Sequence, residues 1–100
     1  MEFRISSENG YVRLIPQGDI RTSDAKEFEE RMLAKLEETG RLIVDFSEAE
    51  YICSSGLRAL LAAQQTVDGI DDGELIITNA RDEVMSVIRS TGFHNVLTIR

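Results

Sequence analysis

The chain has 100 residues, 42% of them hydrophobic and 29% charged, which is enough for one core and too short for two domains of ordinary size. A formal net charge of −7 and a pI near 4.6 disfavour nucleic acid as a partner, because phosphate-backbone binding relies on clustered Lys and Arg. One cysteine, Cys53, rules out an internal disulfide framework, and no apolar run reaches the length of a membrane span or follows a basic leader. A single domain over residues 1–100 is expected, cytoplasmic and without direct membrane insertion.

Glu2 to Ser7 alternates, with Phe3 and Ile5 on one face, and Tyr11 to Pro16 resumes a strand pattern after Asn9-Gly10. Asn-Gly between two such runs predicts a tight antiparallel hairpin. Thr22-Ser23-Asp24 offers N-cap oxygens, and Phe28, Met32 and Leu36, with Ala25 and Leu33 alongside, recur at helical spacing up to Thr39-Gly40. Six acids against three bases between Asp24 and Glu38 belong to the solvated face of that helix.

Leu42 to Phe46 is a nearly continuous apolar run and predicts a central strand covered on both faces. Ser47 to Ile52 forms a loop, after which Leu57, Leu60, Leu61 and Val67 supply the apolar stripe of a second helix. Asp68 to Gly73 reads as an acidic turn, Leu75-Ile76-Ile77 as another buried strand, and Val84, Val87 and Ile88 as a third helix stopping near Thr91-Gly92. Val96 to Ile99 completes the pattern as a short strand. The order β-β-α-β-α-β-α-β predicts an α/β fold: a mixed central sheet, with parallel strands joined by right-handed crossovers and three or four helices packed on it.

The chemistry concentrates in Cys53-Ser54-Ser55-Gly56-Leu57-Arg58, where the loop turns into the second helix. Ser54 is the expected N-cap, and Ser55 and Gly56 fill the opening turn, with Gly56 leaving the surface beside the hydroxyls bare. Gly56, Leu57 and Arg58 are then expected to form an exposed helix start. A hydroxyl here faces the positive end of a helix dipole, where an added phosphate is favoured by about 0.3–1 kcal/mol. Taken alone, Ser-Ser-Gly is no more than an ordinary cap.

The order of elements around that tripeptide adds to it. Gly18-Asp19-Ile20 after the second strand, Val44-Asp45-Phe46, Tyr51 to Leu57, Leu75-Ile76-Ile77 and Ser90-Thr91-Gly92-Phe93 together resemble the STAS domain of bacterial anti-sigma factor antagonists, and the resemblance covers essentially the whole chain. It implies a regulatory protein and not an enzyme. It implies phosphorylation at Ser55, with Ser54 the fallback acceptor, by an anti-sigma factor that is a serine kinase of the histidine-kinase-like ATPase class. It also implies release of the partner on phosphorylation and reversal by a PP2C-type phosphatase. The partner would meet Cys53 to Arg58, bordered by Arg21 and Thr22.

Two positions depart from that family's pattern. Cys53 stands where an Asp is common before the two hydroxyls, and a neutral thiol supplies neither its charge nor its strong acceptor oxygens. Arg21 stands where an acid often follows the Gly-Asp-Ile turn. Cys53 to Arg58 also spells Cys-x4-Arg, similar to the persulfide loop of single-domain rhodaneses, in which Cys53 would be a catalytic thiolate. The six residues between Phe46 and Cys53 speak against that sulfurtransferase reading and favour a packing thiol. A non-switching STAS subunit of a transport or sensory complex is a further alternative. His94 lacks any base–nucleophile spacing, Glu48 and Glu50 lack metal-ligand spacing, and no glycine-rich nucleotide loop appears, so neither cofactor nor metal is expected.

Overall fold

The computed structural model describes residues 1–100. Its elements run β1 Glu2–Glu8, β2 Tyr11–Gln17, a 3-10 turn Thr22–Asp24, α1 Ala25–Thr39, β3 Arg41–Asp45, α2 Ser54–Asp68, β4 Glu74–Thr78, α3 Asp82–Ser90, a 3-10 turn Phe93–Asn95 and β5 Thr98–Ile99. β1 and β2 form the predicted hairpin, with Glu8 opposite Tyr11 and both Asn9 (φ 50°) and Gly10 (φ 84°) left-handed, as a two-residue turn of this hand requires. α1 buries Phe28, Met32 and Leu36, one turn apart, and ends at Gly40, whose φ of 70° lets its N–H return to the Leu36 carbonyl at 2.8 Å.

From β2 onward every neighbouring pair is parallel, and the spatial order β1-β2-β3-β4-β5 is the chain order. Because the winding never reverses, right-handed crossovers set all three helices on the same side of the sheet. That side holds the core: Val12, Leu14, Leu42, Val44, Leu75 and Ile77 meet Phe28, Met32, Leu57, Leu60, Val84 and Ile88.

The expectation that β3 is covered on both faces is therefore corrected. Leu42 and Val44 are fully buried, while Ile43 is only half-buried on a face without helices, where the row Arg13, Ile43, Ile76 and Thr98 runs across the strands. Asp45 ends β3 buried, with its carboxylate taking Arg13 Nη1 at 2.8 Å, the Ser47 N–H at 2.8 Å and Asn79 Nδ2 at 3.0 Å. Burial alone would raise the Asp45 pKa, but donation from Asn79, Ser47 and Arg13 outweighs it and holds the group below the ordinary carboxylate value. The last strand is shorter than the predicted Val96 to Ile99: Val96, 51% exposed, still has a helical conformation (φ −106°, ψ −37°) at the end of the 3-10 turn, and only Thr98 and Ile99 pair with β4.

Candidate functional site at the start of the second helix

Two separate segments build the start of α2. Gly18-Asp19-Ile20, leaving β2, runs beside Glu48 to Cys53. Gly18 N–H donates to the Glu48 carbonyl at 3.0 Å, Ile20 N–H to the Tyr51 carbonyl at 3.0 Å, and Cys53 N–H to the Ile20 carbonyl at 2.9 Å. Asp19 completes the clasp, its Oδ1 accepting from the Glu50 and Tyr51 N–H groups at 2.9 and 3.1 Å. Ile20 and Ile52 thus form an isolated parallel bridge, and both side chains are fully buried beneath the helix start.

Ile52 is held extended by that bridge, so the chain is still extended at Cys53 (φ −80°, ψ 170°) and turns helical at Ser54. The N-cap is consequently Cys53 and not Ser54 as the sequence suggested. Its Sγ accepts the Gly56 N–H at 3.3 Å and its carbonyl accepts the Leu57 N–H at 3.0 Å. Sulfur is a weak acceptor, but it makes the bond that a Ser or Asp oxygen makes at ordinary helix starts. The thiol is also 7% exposed, more deeply placed than the sequence implied and engaged with the helix, an arrangement of packing and capping and not of a nucleophile presented to substrate.

Gly56 and Leu57 are likewise corrected: both are buried, Leu57 in the core at 1% exposure. A Cβ on Gly56 would lie 2.7 Å from Ile52 Cγ1 and 2.9 Å from Ile20 Cγ2, so the glycine permits close approach of α2 to the clasp below and does not bare a surface above. The outer surface belongs to other residues. Ser54, in the first helical position, and Arg58, one turn on, are exposed, and Ser55 is half-buried between them. Arg21 and Thr22 are exposed and directly follow Ile20, which places them beside Cys53 and Ser54. Asp24 Oδ2 takes the Arg21 N–H at 3.0 Å and fixes that turn.

Tyr51, 43% exposed, is a member of this rim that composition and spacing did not single out. Its signal lay in Asp19: a short acid after the Gly18 turn (φ 121°) that can accept backbone N–H groups of a facing loop. Outside this cluster, Glu48 pairs with Arg4 and Glu50 with Arg81, while His94 lies exposed in the 3-10 turn before β5. No grouping of His, Cys, Asp and Glu could hold a metal ion. No helix is long and apolar enough to cross a membrane.

The chain is 23% identical over 100 residues to BtrV of Bordetella bronchiseptica, a protein described as an anti-sigma factor antagonist; the match covers 99% of this chain and 85% of that one. Its backbone superposes on a Thermotoga maritima protein carrying the same description with a TM-score of 0.88 at 17% identity, covering 97% and 84% of the two chains. It also superposes on the Bacillus antagonist SpoIIAA at 14% identity, with a TM-score of 0.74 for the unphosphorylated form (99% and 87% covered) and 0.72 for the phosphorylated form (99% and 91%). The STAS domain profile matches residues 3–100, and the chain belongs to the STAS domain family.

Proposed function

We propose that this STAS domain is an anti-sigma factor antagonist that works by partner switching, binding an anti-sigma factor with serine kinase activity through the start of α2 and releasing it when Ser55 is phosphorylated. The observation that carries the reading is the pair Ser54 and Ser55 at the first two positions of a helix whose cap bond is made by another residue, Cys53, so that neither hydroxyl is needed to hold the fold. Both lie at the positive end of a 15-residue helix, and the buried Gly56 anchors that end to Ile20 and Ile52.

Phosphorylation would add about −1.5 to −2 charge and three acceptor oxygens at this point. The helix dipole favours that charge, so the domain keeps its shape, while a partner surface fitted to the neutral serine meets a bulky dianion. Catalysis resides in the partner, a kinase of the histidine-kinase-like ATPase class, and a PP2C-type phosphatase restores the serine. The domain itself is a cytoplasmic binding module and not an enzyme. Arg21, Thr22, Tyr51 and Arg58 border the serines and are the residues a partner would touch.

Intact mass after incubation with the partner kinase and ATP tests the reading. One phosphate should be added to the wild type and to Ser54→Ala, and none to Ser55→Ala. Binding of Ser55→Asp to the unmodified partner should be at least about tenfold weaker than that of Ser55→Ala. Equal binding of these two variants would remove the switch and leave a non-switching scaffold, and phosphorylation lost only in Ser54→Ala would move the acceptor to Ser54.

A further inference from the structure

β1 is the open edge of the sheet. It pairs with β2 from Glu2 opposite Gln17 to Glu8 opposite Tyr11 without a bulge, and no strand lies on its other side. The opposite edge is blunted, since β5 has only two residues. β1 has neither proline nor lysine, and Arg4 to Glu8 are exposed throughout.

Hairpin geometry decides which backbone groups face outward. A two-residue turn at Asn9-Gly10 makes Glu8 and Tyr11 a hydrogen-bonded pair, so Glu2, Arg4, Ser6 and Glu8 turn their N–H and C=O groups to β2. Phe3, Ile5 and Ser7 turn theirs to the free edge, which agrees with Pro16, a residue without an N–H, standing opposite Phe3. Those outward groups bond to nothing else in the chain. Side chains alternate in step: Phe3 packs on the core, so Ile5 and Ser7 share the helix-bearing face and Arg4, Ser6 and Glu8 the open face. Ile5 stands outside the core and is 43% exposed.

A second copy fits this edge. Two β1 strands pair antiparallel about a two-fold axis perpendicular to the sheet, with the axis on one residue, and charge chooses the residue. An axis on Arg4 opposes Arg4 to itself, one on Ile5 opposes Glu2 to Glu8 at both ends, and one on Ser7 leaves Arg4 opposite Gly10. An axis on Ser6 sets Arg4 opposite Glu8 twice, bonds Ile5 to Ser7 twice, and brings the two Ile5 side chains to diagonal positions about 7–8 Å apart. Arg4 reaches Glu48 and Glu8 reaches Arg13 within the chain, but these are exposed pairs of small worth, and a carboxylate can accept from two arginines at once.

We propose that the chain self-associates through β1, two copies joining antiparallel with Arg4 of each against Glu8 of the other to make one continuous sheet. Glu2 lies beside Gln17, just before the Gly18–Ile20 clasp, so the half of β1 that pairs is the one remote from the serines and both α2 starts stay open. The proposal is independent of the serine switch.

About four backbone hydrogen bonds and a pair of exposed ion pairs make a weak dimer, with a Kd on the order of 0.1 mM. Sedimentation equilibrium of the full chain from about 10 μM to 1 mM tests it, at about 0.15 M salt to screen the net charge of −7 on each copy. Wild type should dimerise across this range. Arg4→Glu and Glu8→Arg should each weaken the dimer at least about tenfold, and an equimolar mixture of the two should recover it, because every Glu of one chain then faces an Arg of the other. Ser7→Pro removes an outward N–H without touching the ladder to β2 and should be monomeric, with circular dichroism checking that it folds. A wild type that stays monomeric to about 1 mM would leave the edge to water or to an extended peptide of another protein and overturn the proposal. So would a dimer indifferent to Ser7→Pro, or charge-reversed chains that stay apart when mixed.

Discussion

Replacing Gly56 by Ala sets two known effects against each other at one atom. Alanine is the better helix residue by up to about 1 kcal/mol, and in the first turn the gain is smaller. The new methyl, however, would sit 2.7 Å from Ile52 Cγ1, 2.9 Å from Ile20 Cγ2 and 3.2 Å from Ile52 Cδ1. Cγ1 and Cγ2 are bonded directly to Cβ, both isoleucines are fully buried, and their backbones are bridged, so neither side chain can swing aside without leaving its rotamer. Overpacking of this kind costs about 1–3 kcal/mol, and the net expectation is a loss of about 1–2 kcal/mol. In a domain of this size that lowers Tm by about 4–16 °C.

Gly69→Ala is the matched control. Its φ is −93° and the nearest atom to a new Cβ is the Thr66 carbonyl oxygen at 3.6 Å, so it should be neutral or stabilising by about 0.4–1 kcal/mol. Urea and thermal unfolding followed by far-UV circular dichroism compare the two. A Gly56→Ala protein as stable as Gly69→Ala would refute the close-approach account of Gly56.

Two further outcomes follow from the same geometry. Cys53→Ala removes the only side-chain acceptor at the start of α2 and should lower stability in urea by about 0.5–2 kcal/mol, with Cys53→Ser retaining the cap. The Asp45 network makes stability fall on the acid side. Its folded pKa is depressed, so its contribution is complete above the unfolded value of about 3.9 and is lost as pH falls from there through the folded value. Arg13→Met removes one donor and raises the folded pKa, so a plot of unfolding free energy against pH should flatten below about pH 4 relative to wild type; an unchanged slope would deny Arg13 that role.

Much of this arrangement could be read in the chain because its signals are local. Asn9-Gly10 specifies a hairpin, Gly40 a helix end, and the spacing of Phe28, Met32 and Leu36 a buried stripe, each within a few residues. The readings that needed correction depend on contacts across the chain. Gly56 looked like an opening because it follows two serines, yet what fills the space beside it are Ile20, 36 positions away, and Ile52. The N-cap moved from Ser54 to Cys53 because the bridge to Ile20 holds the preceding residue extended, and intrinsic cap preference, which ranks Ser far above Cys, has no term for that restraint. β3 looked doubly covered because Ile43 interrupts no apolar run. Which of its faces carries helices is decided by the winding of the whole sheet.

Net charge is a poor guide to what would dock at the serines. The chain carries −7, but its acids near α2 are already engaged: Asp24 takes the Arg21 N–H, Asp19 holds the Glu50–Tyr51 backbone, and Glu50 pairs with Arg81. Arg21 and Arg58 have no such pairing and flank the exposed Ser54 and the half-buried Ser55. Backbone N–H donors leave Asp19 and Asp24 charged, so Arg21 and Arg58 offset them and the rim is close to neutral on a negative body; within a Debye length of about 8–10 Å these local charges dominate. A phosphate of nearly −2 at Ser55 would turn this near-neutral rim negative, so a partner fitted to the unmodified rim would meet a new charge. Such a switch needs no movement of the helix, which the Gly56–Ile20–Ile52 packing would in any case resist.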